Sequence, residues 1–578
     1  MTQTFRVWAP WPKKVELQIG EVRMPMKVNA DDWWTTEVSS AKAESDYGFV
    51  LDGKGPFPDP RSPWQPHGID GASRLLDHKT FRWTDGNWQA PPLSSAIIYE
   101  LHVGTFTPQG TFDAAIEKLD HLINLGVTHI ELMPVNEFSG SRGWGYDGVD
   151  LFAPHHAYGG PAGLKRLVNA CHARHLAVIL DVVYNHLGPA GNYLEKFAPY
   201  FSRRYSSPWG EALNFDGAES HEVRRFFCDN ALMWLRDYHF DGLRLDAVHA
   251  IFDSSAIPFL EQLAIEVKQM ETQLNRPLVL IPESDLNDPR LLWEPGRGGF
   301  GLSAQWSDDF HHALHALLTG EKNGYYADFG TLADLGKALR HAYVYDGCYS
   351  AYRRRPHGRP PTGLNGNHFL GYLQNHDQVG NRARGERSGR LMSVGRLKIG
   401  ATLVLTSPFI PLLFQGEEWG ATTPFLYFTD HQDPKLGEMV RQGRRREFAG
   451  HGWDEHEVPD PQARETFQQS KLNWSEPSQS AHAELLEWHR CLIALRRSEP
   501  SLRDGCLDRI QTRHDETEGW LVVERGPFVI AGNLSDSPRR VPLPPGGHRL
   551  LMSSISMNNP ENGSAVLPPD SVALYKKA

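Results

Sequence analysis

From Ile97 to about Arg497 the chain repeats one unit: a short apolar run, a polar loop, then a stretch with apolar residues every three or four positions. The apolar runs are Ile97–Val103, Thr128–Met133, Leu176–Val183, Gly242–Asp246, Leu278–Ile281, Leu302–Trp306, Leu370–Gln374 and Pro411–Phe414. Helical spacing falls over Phe112–Leu125, Gly163–Arg174, Glu222–Tyr238, Ile257–Leu274, His311–Leu318, Val394–Leu405 and Ala483–Arg497. Unbroken apolar runs suit strands covered on both faces, and helices between them impose parallel crossovers. Eight such units predict an α/β fold, a (β/α)8 TIM barrel with long loop insertions; a doubly wound sheet would rarely need so many strands.

The flanks have a different grammar. Phe5–Ala9, Val15–Ile19, Trp33–Val38 and Tyr47–Leu51 are short apolar runs separated by turn residues, which predicts an N-terminal β-sandwich. Gly55–Gly71 is too rich in Pro and Gly for a regular element and reads as a connector. Trp520–Glu524, Phe528–Asn533, His548–Met552 and Ser571–Tyr575 predict a C-terminal β domain. The expected division is 1–90, 91–498 and 499–578.

In a barrel of this kind the chemistry sits where the strands end. After the third run comes DVVYNH (Asp181–His186), after the fourth GLRLDAVH (Gly242–His249), after the fifth PES (Pro282–Ser284), and after the seventh QNHDQVGN (Gln374–Asn381). Asp246, Glu283 and Asp377 thus stand at three strand ends. Carboxylates gathered in one pocket raise one another's pKa, which suits glycoside cleavage: one acid stays protonated to meet the leaving oxygen while another attacks the anomeric carbon. Arg244 lies two residues before Asp246, on the same strand face, and should keep it ionised.

These four blocks, in this order, resemble the four short conserved regions of the α-amylase family of glycoside hydrolases. The resemblance spans the barrel and implies that Asp246 is the nucleophile, Glu283 the general acid/base and Asp377 the stabiliser that grips sugar hydroxyls, in a retaining double displacement. It further implies that Tyr146, in GWGYDG, stacks on the attacked sugar, and that Arg244, His186 and His376 line that subsite, with Gln378 and Asn381 beside them. His249, Asp308, Asp309 and His311 are expected to reach hydroxyls on the leaving-group side. The opening FRVWAPWPKKVELQI resembles the N-terminal β domain of isoamylases, branching enzymes and trehalose-forming enzymes. PDPRSPWQPHGIDGASR, WSDDFHHALHALLTGE, QNHDQVGNRARGER and DPQARETFQQSKLNW resemble members that hydrolyse the α-1,4 bond joining a maltooligosyl chain to a terminal trehalose. Maltooligosyltrehalose and related α-1,4-glucans are the partners this implies. The alternatives are a glucan transglycosylase (branching enzyme or trehalose-forming mutase) and a non-catalytic carbohydrate-binding relative.

Composition narrows the remaining classes. A formal charge of −11 argues against wholesale binding to nucleic acid or anionic membranes. The 5 cysteines form no CxxC pair, so neither a disulfide framework nor a zinc-thiolate site is expected. The N-terminus lacks the pattern of a secretory signal, and no apolar run reaches membrane-spanning length, so a cytoplasmic protein is expected. Gly143, Gly145 and Gly148 match GxGxxG, but no helical periodicity follows them, so the segment reads as a sugar-facing loop with no dinucleotide. His311, His312 and His315 read as a surface cluster on a helix, and Arg353–Arg355 and Arg441–Arg446 as solvated loop faces. Asn185 resembles a position that binds calcium in many amylases. No metal and no cofactor are expected.

Overall fold

In the computed structural model, which describes residues 2–39, 41–449, 458–557, 559–560 and 562–577, eight parallel strands form one sheet. They are β1 (Ile98–Leu101), β2 (His129–Leu132), β3 (Ala177–Val182), β4 (Gly242–Leu245), β5 (Val279–Pro282), β6 (Gln305–Trp306), β7 (Phe369–Gly371) and β8 (Ile410–Phe414). Their order around the sheet is β5-β4-β3-β2-β1-β8-β7-β6, so sequence neighbours pair and β8 returns to β1. At the β5/β6 seam there is no ladder, but Ser303 N–H donates to Leu280 C=O (2.8 Å) and Leu280 N–H to Ser303 Oγ (3.0 Å). The result is a TIM-like, nearly closed barrel.

All eight apolar runs become strands because each is buried on both faces, against the barrel interior and against helices. Several end earlier than expected. The first run leaves the sheet at Leu101, and Val103–Phe106 form a helical turn; β6 keeps only two residues of Leu302–Trp306. The helical stretch expected at Phe112–Leu125 is two helices, Phe112–Ile116 and Leu119–Leu125. Within the barrel, Glu100, Glu131, Asp181 and Arg244 form a polar floor below the strand ends, each at most 1% exposed. Burial, with Glu100 and Asp181 beside it, pushes the Glu131 carboxyl well above the usual range.

Before the barrel, Gln3–Trp8, Trp33–Val38 and Lys27–Val28 form one antiparallel sheet; Val22–Pro25, Val15–Ile19, Asp46–Leu51 and Lys54–Phe57 form a second. The last of these corrects the reading of Gly55–Gly71 as wholly irregular: Pro56 is tolerated because the strand lies at the sheet edge. Arg61 anchors this region to the barrel through Asp229 (2.7 Å). After the barrel, Ile510–Asp515, Trp520–Arg525, Phe528–Asn533, Ser571–Lys577 and His548–Ser553 form a five-stranded antiparallel sheet, and Arg525 donates to the Thr406 carbonyl of the barrel (2.8 Å). Among the described residues, no helix is long and apolar enough to cross a membrane.

Candidate active site

The strand ends open into a cleft of about 720 Å³ lined by Tyr146, His186, Asp246, His249, Glu283, His376, Asp377 and Asn381. Arg244 forms its floor and is fully buried. Its Nη1 donates to Asp246 Oδ1 (2.8 Å) and Asp181 Oδ2 (2.7 Å), and its Nη2 lies 2.7 Å from Glu283 Oε2. The guanidinium also stacks 4.4 Å above the Trp306 ring. One cation therefore holds two of the three acids in fixed positions.

Asp246 Oδ2 accepts a hydrogen bond from Asn185 Nδ2 (2.7 Å), which also donates to the Asp246 carbonyl (2.8 Å). The chain then turns through Ala247 at φ 37°, a left-handed conformation that non-glycine residues adopt at a cost of about 1–3 kcal/mol. The turn aims Ala247 N–H at Glu283 Oε2 (2.8 Å). Burial pushes the Glu283 pKa up to about 8; Arg244 opposes this, while Asp246 and Asp377 add to it. Glu283 is thus mainly protonated at neutral pH.

Asp377 lies on the short helix His376–Gly380, capped by Asn375 (Gln378 N–H to Asn375 Oδ1, 2.8 Å), and accepts from Asn381 Nδ2 (3.1 Å). Burial alone would lower the pKa of the neighbouring His376, but Asp377 and Glu100 raise it to about 10. The cationic ring is held by Glu100 at Nδ1 and donates from Nε2 to Tyr146 Oη (2.7 Å). Tyr146 in turn donates to Asp181 Oδ2 (2.6 Å). Glu100, His376, Tyr146, Asp181 and Arg244 form one continuous chain behind the acids. His186 bonds Asn185 Oδ1 through Nδ1 and lies 3.0 Å from the Tyr146 carbonyl. The Trp209 indole stacks on its outer face at 4.8 Å and 12°.

Three expected contacts do not reach the cleft. Asp309 is buried and accepts from Asn287 Nδ2 (2.8 Å) and from the backbone N–H groups of Val344 and Tyr345 (2.7 Å each). His311 is fully buried against His315 and Tyr372. The reason is local. The strand passes at once into the helix Asp308–Thr319 through Ser307, whose Oγ caps Phe310 N–H (3.4 Å), and helical rotation turns Asp309 and His311 inward. Gln378 points its Oε1 to the Tyr325 and Tyr326 hydroxyls (3.2 and 3.3 Å). Asp308 lies nearer the acids: Tyr372 donates to it (2.6 Å), and burial raises its pKa to about 7.

The histidine cluster of that helix is buried too: His312 packs on Tyr325 and Phe329, and His315 lies 2.7 Å from Glu321. The GxGxxG stretch is a loop, and Gly145 (φ 100°) sits where a Cβ would meet the Pro134 carbonyl at 2.2 Å. Arg441–Arg446 lie in the helix Pro434–Ala449, not in a loop. Arg444 from it lines the cleft, stacks over Tyr427 (5.1 Å) and donates to the Gly380 carbonyl (2.6 Å). Arg353 pairs with Asp285 (2.9 Å).

Sequence reasoning missed Glu100, Trp209, Asp147, Tyr427, Arg444 and Glu447. Glu100 follows an apolar pair in IYEL and was hidden inside a strand run. Trp209 sits at the tip of the hairpin Phe201–Ser207/Gly210–Leu213, whose one legible signal was the Pro-Trp-Gly turn at 208–210.

The chain is similar to known proteins over nearly its whole length. The family described as "Alpha amylase, catalytic domain" matches residues 78–208, and one described as "Domain of unknown function (DUF3459)" matches residues 507–574. A malto-oligosyltrehalose trehalohydrolase from Mycobacterium tuberculosis is 49% identical over 93% of this chain and 94% of its own. One from Saccharolobus solfataricus is 46% identical, covering 86% and 85%. A crystal structure titled a putative α-amylase from Salmonella typhimurium superimposes with a TM-score of 0.92 at 38% identity, over 100% of this chain and 98% of that one. A pullulanase from Paenibacillus barengoltzii shares the fold with a TM-score of 0.73 at 20% identity, over 100% and 93%. With near full-length relatives at this identity, and an amylase-type barrel beneath the three acids, the chain belongs to the malto-oligosyltrehalose trehalohydrolase family.

Proposed function

We propose that this enzyme hydrolyses the α-1,4-glucosidic bond between the maltooligosyl chain and the terminal trehalose of maltooligosyltrehalose, releasing trehalose with retention. The observation that carries the reading is the convergence of Asp246, Glu283 and Asp377 in one cleft, with Asp246 and Glu283 on the two ends of one guanidinium; burial raises the Glu283 pKa, which suits it to donate a proton. In the first step Glu283 gives its proton to the leaving glycosidic oxygen as Asp246 attacks the anomeric carbon, forming a glycosyl-enzyme and free trehalose. In the second, Glu283 takes a proton from water, whose oxygen displaces Asp246. Asp377 holds ring hydroxyls, with Asn381 orienting it, and Arg244 and cationic His376 keep the acids in register. Asp308 and His249 are assigned to the leaving-group side.

The architecture is read as a (β/α)8 barrel at 91–498, with a β-sandwich at 1–90 and a β domain at 499–578. What supports the division is the change from antiparallel to parallel pairing and back. A cytoplasmic setting is supported by free thiols at Cys171, Cys228, Cys348, Cys491 and Cys506.

The test is incubation with maltooligosyltrehalose and, separately, with plain maltooligosaccharide of equal length. Free trehalose from the first, a first-formed α-anomer on the maltooligosyl product, and little cleavage of the second are expected. Longer or branched products, or equal cleavage of both substrates, would overturn it in favour of a transferase or a general amylase.

A further inference from the structure

We propose that Glu137, His155 and His156 form a binding site for one divalent transition-metal ion of the zinc type, placed at the neck of the loop that carries Tyr146 into the cleft. No metal is expected from the sequence, in which Glu137 stands 18 and 19 positions before the two histidines. The fold closes that gap. Asn136–Glu137 pairs antiparallel with Asp150–Pro154, Val149 N–H donates to the Glu137 carbonyl (3.0 Å), and His155 N–H donates to the Val135 carbonyl (2.7 Å). Residues 138–149 between these strands bring Trp144, Tyr146 and Asp147 to the cleft.

Across the neck, one carboxylate oxygen faces two imidazole nitrogens. Glu137 Oε1 lies 3.0 Å from His155 Nδ1 and 2.6 Å from His156 Nδ1, and all three donor atoms fall within 4.8 Å of one another. A tetrahedral zinc ion with bonds of about 2.0–2.2 Å separates its ligand atoms by about 3.3 Å. Replacing the protons between these atoms by the ion therefore requires Glu137 Oε1 to draw back by about 0.3 Å from His155 Nδ1 and by about 0.7 Å from His156 Nδ1. Two imidazoles and one carboxylate favour Zn²⁺, Co²⁺ or Ni²⁺ over Mg²⁺ or Ca²⁺, whose preferred ligands are all oxygen.

The surroundings suit ligation. The other oxygen of Glu137 is fixed by His156 N–H (2.8 Å), which orients the carboxylate as an outer-shell contact does in metal sites. The His155 ring is clamped by Phe138 (centroids 3.8 Å) and Tyr158 (4.9 Å). Glu137 and His155 side chains are fully buried, while that of His156 is 32% exposed, leaving a route from solvent and a fourth position for water. The ion would cross-link the residue before the loop to two residues after it, and so hold the base of Tyr146's loop. Its role is structural, and it does not depend on which glucan the cleft takes.

The probe is Co²⁺, titrated into chelator-treated, untagged full-length protein. One equivalent should develop the visible absorption of a four-coordinate ion, and Zn²⁺ should bleach it. His156→Gln, at a partly exposed position, and Glu137→Gln should each weaken Co²⁺ binding at least tenfold. His221→Gln, at an exposed site elsewhere, should leave it unchanged, and Zn²⁺ should raise the melting temperature of the wild type but not of His156→Gln. Absence of saturable one-equivalent binding, or equal binding by wild type and His156→Gln, would overturn the site. If Glu137→Gln fails to fold, the comparison with His156→Gln still decides.

Discussion

Replacing Glu283 by Gln separates what this residue does for stability from what it does for turnover. The amide keeps the shape of the protonated acid but cannot ionise. In the folded enzyme burial lifts the pKa from 4.5 to about 8. Between those values the folded state holds a proton that the unfolded chain has released, so wild-type stability falls as pH rises from about 4.5 to 8. A shift of this size corresponds to at most about 5 kcal/mol at 1.36 kcal/mol per unit. Glu283→Gln escapes the loss, so its stability relative to wild type should improve by several kcal/mol between pH 5 and pH 9, as read from denaturant unfolding at both pH values. Activity should move the opposite way. With its pKa raised to about 8, Glu283 keeps at pH 7 a proton that an ordinary glutamate has lost, and loss of a general acid costs about 10²–10⁴-fold in rate. kcat/KM on maltooligosyltrehalose should show a basic limb near pH 8 and should drop by that factor in the variant. An aryl maltooligoside with a nitrophenolate leaving group needs no protonation and should lose far less. A stability difference that does not change with pH, or a wild-type basic limb below pH 6, would refute the reasoning.

Two further outcomes follow from the residues behind the cleft. Glu100→Gln removes one of the two charges that raise His376, and a contact ion pair at effective dielectric 20–80 is worth about 1–4 pKa units. A raised histidine stabilises most below its unfolded pKa and loses that contribution as pH rises through its folded value. The deficit of Glu100→Gln should therefore be greatest near pH 6 and fade toward pH 10, and a constant deficit would count against a cationic His376. Asp309→Ala should destabilise the fold by about 2–4 kcal/mol, because two buried N–H groups and Asn287 lose their acceptor, and should leave KM unchanged. A large KM effect without destabilisation would return Asp309 to the substrate site.

The strand runs were legible because burial on both faces leaves little choice of residue, and the acids were legible because barrel chemistry gathers where those runs end. Errors clustered where a side chain's direction depends on how the strand is continued. DDFH after β6 offered three polar candidates, Asp308, Asp309 and His311, and the cap at Ser307 decided that Asp308 lies toward the acids while Asp309 and His311 turn inward. Cleft residues from the hairpin at 201–213 and the helix Pro434–Ala449 were not legible, since these insertions show neither strict alternation nor a strong apolar stripe.

By itself the sequence determined the eight strand runs of a barrel-like sheet and placed three carboxylates at the ends of those runs, because periodicity and the short blocks at strand ends are local properties. Only the tertiary structure decided which protonation state Glu283 holds, that Glu100 stands behind His376, and that Glu137 meets His155 and His156. Those depend on desolvation and on contacts between residues up to 276 positions apart, and neither is written in any short window of the chain.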